Sequence, residues 1–320
     1  MTGEPTPHEV FDQAYAAFDR GELREAVRLF ADLEALDPDY APFPYMRGLA
    51  HKYLREWDAS LRANLRSLSL RDEPDQASAW NAAIAATALG DWAQARTQWR
   101  ACGIPVADGD DPVALNCGYS GLRLNPWADG EVVFAQRIDP ARARIRSVPL
   151  PRSGHRYDDL VLHDGARQGE RQVGDGFVPV FNALQLLERS SFETYAVFAT
   201  CPSGADVAAL RSLRAAGIGN VEDWTAGLHS ICLRCSYGKP HAHAEPGPGA
   251  WNPERSLGIA ATDRAALDAL LETWRAGGKG RAVDAIEGNA HAPGAPAEGV
   301  VWWDYTDDDT EDDDAEGEDA

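Results

Sequence analysis

The chain has 320 residues, of which 44% are hydrophobic, so it has room for two or three domains with buried cores. Its net charge is −21, and residues 304–320 contain eleven acids and no lysine or arginine. The remainder holds 40 acids against 30 bases and is itself acidic. This balance disfavours direct nucleic-acid binding, which needs a basic surface to neutralise phosphates.

Three further features of the sequence indicate the cellular compartment in which we expect the protein. Apolar runs stay well short of the roughly 20 residues that span a bilayer. The first residues contain neither a basic start nor an apolar segment of the kind found in secretory signals. Five cysteines are an odd number and argue against a disulfide framework. We therefore expect a cytoplasmic protein that does not bind membranes.

The N-terminal third contains two similar stretches, Gly21–Ala26 and Gly90–Ala95, each placed between two helical patterns. The glycine suits a tight turn between antiparallel helices, where φ can be positive. The alanine is small enough to let two helices approach. An aromatic residue follows four positions later, Phe30 or Trp99, and can fill the space between hairpins.

The two turn glycines are 69 residues apart, which leaves room for a third unit between them. Gly48 and Ser60 supply its small contact residues, and Arg55 stands where the turn glycine would be. This pattern of three hairpins resembles the tetratricopeptide repeat (TPR) family over about residues 7–107. We assign residues 1–109 to this all-α, TPR-like part.

The resemblance implies a stack of hairpins with a concave face lined by the first helix of each pair. Aromatic and basic side chains in such a groove suit an extended peptide or a partner helix. Alternatively, several of these aromatics pack against the C-terminal half of the same chain. The residues implied for the groove are Phe11, Tyr15, Tyr45, Lys52, Tyr53, Trp80 and Thr87.

Short β-rich runs with glycine and proline replace the helical pattern from about residue 110. An Asp-Gly pair between apolar runs is a hairpin signal, so we predict a turn at Asp164-Gly165. The runs indicate a small β-rich, barrel-like domain over residues 110–190. The predicted strands are Glu131–Gln136, Ala143–Val148, Asp159–His163 and Gly176–Phe181.

Strands and helices alternate in residues 191–288, which predicts an α+β domain of ferredoxin-like type. Residues 289–320 then form an Ala/Pro/Gly-rich linker and an acidic tail that we expect to be disordered. Within it, the aromatic segment Val300–Tyr305 either docks on the body or serves as a linear motif for another protein. The predicted elements of the α+β domain are a strand at Phe192–Thr200, a helix at Ala205–Ala216, an extended segment at Asn220–Cys232, a strand at Ser256–Ala261 and a helix from Asp263 to Arg275.

The most specific chemical pattern is Cys232-Leu-Arg-Cys235 followed by His241-Ala-His243. Two thiolates and two imidazoles can form a tetrahedral set around zinc. We predict a structural zinc site at Cys232, Cys235, His241 and His243. A redox dithiol and ordinary unligated side chains are the alternatives.

A second candidate is the run from His155 to Asp159, with His163 and Asp164 just beyond it. A histidine beside carboxylates can support acid–base chemistry. The alternative is a polar turn at the end of a strand, which the absence of a nearby nucleophile or phosphate loop favours.

Three phrases of the C-terminal half, Arg137–Arg142, Val161–Gly165 and Cys232–His243, resemble the domain that follows short TPR arrays in uncharacterised bacterial proteins. Some of these look like immunity partners of secreted toxins. The resemblance implies a non-enzymatic protein-binding protein that neutralises a toxin, with a basic toxin domain or an extended peptide as partner. The alternative is a metal-dependent enzyme that uses the Cys/His site and recruits its substrate through the repeats.

Overall fold

The structure is a computed structural model that describes residues 6–128, 130–174, 176–225, 251–289 and 291–303. It is a mixed α/β protein with several parts: helical hairpins, then a closed β-barrel, then a four-stranded sheet with helices. The first part consists of α1 (Pro7–Asp19), α2 (Leu23–Leu36), α3 (Pro42–Tyr53), α4 (Trp57–Ser69), α5 (Gln76–Leu89) and α6 (Trp92–Ala101).

The three hairpins share one turn geometry. Gly21, Arg55 and Gly90 lie in the left-handed region, with φ of 76°, 60° and 72°. In each turn the next residue's backbone N–H donates to a carbonyl five positions earlier at 2.9 Å, as Glu22 does to Ala17. This bond belongs to a glycine-type helix C-cap. The turns recur at intervals of 34 and 35 residues, so Arg55 occupies the position predicted for it.

The small and aromatic residues of the hairpins lie where the sequence predicted. Ala26, Ala95, Phe30 and Trp99 are fully buried between helices. In the middle hairpin, the Ser60 hydroxyl donates to the Gly48 carbonyl at 2.8 Å, which ties α4 to α3. Close packing of this kind leaves no room for added atoms.

The barrel has five strands: β1 (Tyr119–Leu124), β2 (Glu131–Arg137), β3 (Arg142–Ile145), β4 (Leu160–Val173) and β5 (Gly176–Glu188). Sequential strands pair antiparallel, and a parallel pairing of β1 with β5 closes the barrel. The barrel that the sequence predicted is therefore present. Its interior is filled by apolar side chains such as Leu122, Leu124, Ile145, Val161 and Ala183.

The predicted turn at Asp164-Gly165 is wrong. Strand β4 runs through both residues, and the hairpin reverses after Val173, which pairs with Gly176. Between His163 and Arg167 the β4 register shifts against β5, so this stretch is a bulge. Bulges and turns both favour Asp-Gly, and packing against the helical hairpins decides the outcome here.

The second sheet and its helices form the next part. They comprise β6 (Glu193–Thr200), α7 (Gly204–Ser212), β7 (Ile218–Asp223), β8 (Glu254–Ala261), α8 (Arg264–Ala276) and β9 (Ala282–Asn289). The strand order is β7-β8-β6-β9 with antiparallel neighbours. Leu210, Leu257, Ile259, Leu270 and Trp274 are buried between this sheet and its two helices.

The elements of this part agree with the sequence predictions at one point and differ from them at two. Asp263 caps α8 as expected, because its carboxylate accepts the Ala266 backbone N–H at 2.8 Å. Helix α7 ends at Ser212 instead of Ala216, since Leu213 takes an extended conformation. Strand β9 was missed because its acidic residues, as is common in edge strands, hide its apolar alternation.

Residues 291–303, which we call the strap, follow β9 and contact the barrel and the hairpins. The Gly299 backbone N–H donates to the Gly21 carbonyl at 3.0 Å. Trp302 and Trp303 are 6% and 8% exposed and join the core of the hairpins. Of the two alternatives for the aromatic segment Val300–Tyr305, the structure shows docking for these two residues. Residues 304–320 lie outside the described ranges.

Candidate protein-interaction site

The seven predicted groove residues fall into two groups. Lys52, Tyr53 and Thr87 are buried, and Trp80 is partly buried, on the side of the hairpins that faces the rest of the chain. Phe11, Tyr15 and Tyr45 are also partly buried but lie towards the first hairpins. Thr87 makes no groove contact through its hydroxyl, which donates to the Ala83 carbonyl within α5 at 2.7 Å.

The Lys52 side chain binds the barrel. Its Nζ lies 3.0 Å from Asp164 Oδ2 and donates to Asn81 Oδ1 at 3.1 Å. Both charged side chains are almost fully buried, at 3% and 5% exposed. An isolated buried charge is costly, so each of the two requires the other. The bulge in β4 thus fixes the barrel to α3 and α5.

Trp80 fills the space next to this ion pair. Its ring lies edge-on to Trp99, with centroids 5.0 Å apart. A Cβ placed on Gly165 would meet Trp80 Nε1 at 1.7 Å. Any residue other than glycine at position 165 would therefore clash with the indole. We call the side of the hairpins that faces the rest of the chain the inner face. Strand β4 therefore occupies the part of the inner face around Trp80.

Tyr53 contacts the strap. Its ring stacks on Trp303 with centroids 4.5 Å apart and planes 10° apart, and Trp302 meets the same ring edge-on at 5.2 Å. Phe18 lies 5.4 Å from Trp303, and the Asn182 amide donates to the Trp302 carbonyl at 3.0 Å. The chain's own C-terminal segment occupies this second part of the inner face.

The first two hairpins carry a cluster of aromatic residues in which Phe43 is buried, Tyr40 is exposed and the other three are partly buried. We call this cluster the aromatic patch: Phe11, Tyr15, Tyr40, Phe43 and Tyr45. Phe11 lies 4.7 Å from Tyr15 and 6.2 Å from Phe43, and Tyr40 lies 4.7 Å from Phe43, between ring centroids. Tyr40 is 44% exposed, a large value for an aromatic residue. The sequence placed Phe11, Tyr15 and Tyr45 in the groove but missed Tyr40, which lies in a connection.

Tyrosine hydroxyls and acids set the electrostatics of the aromatic patch. Burial raises the pKa of Tyr15, and the neighbouring Tyr40 and Tyr45 raise it further. Burial also raises the pKa of Tyr45, with Asp75 and Asp164 adding to the effect. These hydroxyls therefore remain protonated hydrogen-bond donors at neutral pH.

Acidic residues are sequence neighbours of the aromatic patch residues, and few basic side chains are available to pair with them. Asp12, Asp37 and Asp39 are exposed beside patch residues. Two nearby arginines already have acidic partners: Arg47 lies 2.8 Å from Glu34, and Arg71 lies 3.4 Å from Asp75. A cationic side chain placed over these rings would meet both π faces and carboxylates.

The geometry around the histidine–carboxylate candidate, residues His155–Asp159, indicates a structural role. The Asp159 carboxylate accepts the backbone N–H of Arg156 and Ser190 at 2.9 and 2.8 Å, and Arg189 lies 3.0 Å away. His155 lies 3.7 Å from the same carboxylate, beyond a good hydrogen bond. Asp159 therefore pins the connection that leaves β5, and the polar-turn interpretation describes it best.

His163 and Asp164 serve the barrel–hairpin contact. His163 Nδ1 donates to the Asp164 carbonyl at 2.8 Å, and its ring lies 5.0 Å from Phe181. Burial lowers the pKa of His163 to about 4, so the ring is neutral at pH 7. A fully buried neutral imidazole supports packing here.

One titratable group was not anticipated from the sequence. Glu131, at the start of β2, accepts the Leu150 backbone N–H at 3.0 Å, and burial raises its pKa to about 7, with Glu222 adding to the effect. No motif marks it, since its environment comes from distant segments. It borders a cavity of about 90 Å³ lined by Leu124, Asn125, Ala128, Gly130, Arg152 and Ser153.

The predicted zinc ligands Cys232, Cys235, His241 and His243 lie in residues 226–250, outside the described ranges. Within those ranges, no group of three or more histidine, cysteine, aspartate or glutamate residues is arranged to hold a metal ion. Cys102, Cys117 and Cys201 are free thiols, and burial raises the pKa of each.

Comparisons with known proteins give limited information. No protein-family model matches the chain. No curated protein matches it either. One similar solved structure is a chain of the CopN–Scc3 complex, at 19% identity and a TM-score of 0.29. The similarity covers 30% of this chain and 56% of that chain, so this chain spans about half the length of that relative. Among the helices in the described ranges, none is long and apolar enough to cross a bilayer.

Proposed function

We propose that this is a non-enzymatic protein-binding protein that takes a basic partner on the aromatic patch. The observation that carries the proposal is a cluster of aromatic rings on α1, α3 and the α2–α3 connection, in which Tyr40 is exposed and Phe11, Tyr15 and Tyr45 are partly exposed around the buried Phe43, with acidic residues beside them in the sequence. Aromatic residues that stay accessible in a groove are typical centres of protein interfaces.

We further propose that the three hairpins are tetratricopeptide repeats. The support is the recurrence of one turn geometry at intervals of 34 and 35 residues, including the left-handed Arg55. For the last part, the order β6-α7-β7-β8-α8-β9 with sheet order β7-β8-β6-β9 supports the ferredoxin-like topology. The hairpins supply the binding surface, and the barrel packs against them through β4.

The partner's chemistry follows from the charges. Arginine and lysine side chains can lie on tyrosine rings and pair with the nearby carboxylates. A net charge of −21 attracts a basic partner over long distances and speeds encounter. A basic toxin domain or an extended basic peptide suits this surface, and neutralising such a toxin is the role we propose.

The test uses the full-length protein and a labelled nonapeptide of alternating arginine and leucine. We expect micromolar binding by fluorescence anisotropy, weakened about tenfold in a folded Tyr40→Ala/Tyr45→Ala variant. Leu89→Ala is the control, because Leu89 is exposed on α5 outside the patch. Equal binding by the Tyr variant and the wild type would show that the peptide binds elsewhere, for example on the acidic tail.

We also propose a structural zinc ion at Cys232, Cys235, His241 and His243. The support is the sequence pattern alone, in which two soft and two borderline ligands fall within twelve residues. Elemental analysis of protein purified without a histidine tag tests it. We expect near-stoichiometric zinc in the wild type and none in a Cys232→Ser/Cys235→Ser variant; a metal-free wild type rejects the site.

A further inference from the structure

The strap ends in a pocket formed by Phe18, Tyr53, Trp127 and Asn182, which we call the strap pocket. We propose that the strap pocket is a second peptide-binding site, and that Trp302-Trp303 is its detachable internal ligand. A partner that presents an extended segment with two adjacent large aromatic residues would compete for it. This site is separate from the aromatic patch and does not depend on the function proposed for that patch.

The contacts in the strap pocket are those of a bound peptide. Trp303 stacks on Tyr53, and Trp302 meets both Tyr53 and Trp127 edge-on at 5.2 and 5.4 Å. Backbone hydrogen bonds fix the register at two points: the Asn182 amide binds the Trp302 carbonyl, and Gly299 donates to Gly21. Aromatic anchors combined with backbone bonds are how proteins recognise extended peptides.

The pocket also fits the strap closely. A Cβ on Gly21 would lie 2.9 Å from the Val300 backbone nitrogen, so the turn of the first hairpin must be glycine to admit the strap. Gly21 thus serves both the left-handed turn and the approach of the segment. Because the pocket is built from α1, α3, the β1–β2 connection and β5, it exists only when hairpins and barrel are docked.

Two features make the strap exchangeable. Residues 291–299 form no helix or strand and most of them are exposed, although Ala292 packs closely on Gly154 and the Gly299 backbone N–H donates to the Gly21 carbonyl. Trp303 is followed directly by Asp304, the first of eleven acids, while the rest of the chain carries a net charge of −10. Repulsion between like charges opposes docking, and salt reduces that repulsion.

The experiment uses full-length Trp302→Ala/Trp303→Ala protein and a labelled peptide of residues 298–303. We expect the variant to bind this peptide at least tenfold more tightly than the wild type, whose pocket is filled by its own strap. Adding Tyr53→Ala should reduce binding at least tenfold. Equal binding to the wild type and the double variant, or no binding to a folded double variant, overturns the proposal.

A second arm covers the case in which the double variant does not fold. A protease site is inserted between Ala295 and Pro296 of the otherwise unchanged chain, and the folded protein is cut. We expect the labelled peptide to replace the released fragment while thermal unfolding of the body stays cooperative. A body that unfolds once the fragment leaves, or a fragment that never exchanges, shows that the strap is a permanent part of the core and rejects the proposal.

Discussion

The indole of Trp80 lies directly over Gly165, so that a Cβ on Gly165 would come within 1.7 Å of the indole nitrogen. This contact joins α5 to the bulge in β4, beside the buried pair of Lys52 and Asp164. It explains why Lys52 and Trp80, two of the residues predicted for a partner groove, contact the chain's own barrel. The aromatic patch is the surface that we propose for a partner.

Gly165→Ala should therefore weaken the attachment of the barrel to the hairpins. The added methyl must displace Trp80 or bend β4, at a cost of about 1–3 kcal/mol or more. Urea unfolding measures the loss. Gly176→Ala is the matched control, because a Cβ there meets only the Val173 carbonyl at 3.8 Å, an ordinary contact. Equal effects of the two variants would contradict the packing described.

Replacement of Lys52 by Met should cost about 3–5 kcal/mol, because it leaves the Asp164 charge buried without its cation. Asp164→Leu should cost a similar amount for the converse reason. In a double-mutant cycle, the Lys52→Met/Asp164→Leu protein should lose clearly less than the sum of the single losses. Strict additivity would mean that the two side chains do not interact in solution.

Arg55 tests the equivalence of the three turns. A left-handed conformation costs an L-residue about 1 kcal/mol relative to glycine. Its guanidinium also lies 5.6 Å from the ring centre of Trp127, a contact that either truncation removes. Arg55→Gly should therefore be about 1 kcal/mol more stable than Arg55→Ala by thermal or urea unfolding. A more stable alanine variant would contradict a left-handed turn at this position.

Glu131 gives a pH dependence of known sign. Its folded pKa, about 7, lies above the ordinary value near 4.5, so the native state holds a proton that the unfolded state releases between these values. Its contribution to stability is present below about pH 4.5 and is lost as pH rises to about 7.

Glu131→Gln cannot ionise and should be more stable than the wild type by about 1–3 kcal/mol at pH 8, but not at pH 4.5. Urea unfolding of both proteins at the two pH values gives the comparison, and titrating groups that do not interact with Glu131 cancel between them. A difference that does not change with pH would contradict the elevated pKa.

The sequence predicts this molecule best where local patterns determine structure. The turns at Gly21 and Gly90 and the burial of Phe30 and Trp99 follow from small and aromatic residues at fixed spacing. Asp164-Gly165 was misassigned because the same pair suits a turn and a bulge, and contacts with distant α3 and α5 decide between them.

The candidate site was partly predictable for the same reason. The resemblance to TPR proteins placed Phe11, Tyr15 and Tyr45 on one face, but gave no sign of Tyr40, which joins them from a connection. Only the tertiary fold shows that Tyr53 contacts the strap instead of an external peptide.

Site-specific photo-crosslinking in cells tests the central claim, that a basic partner binds the aromatic patch. Benzoylphenylalanine is placed at Tyr40 in one protein and at Tyr53 in another, and the products are identified by mass spectrometry. We predict crosslinks from position 40 to a basic protein, and crosslinks from position 53 within the chain while the strap is docked. Crosslinks to a partner from position 53 and none from position 40 would contradict it.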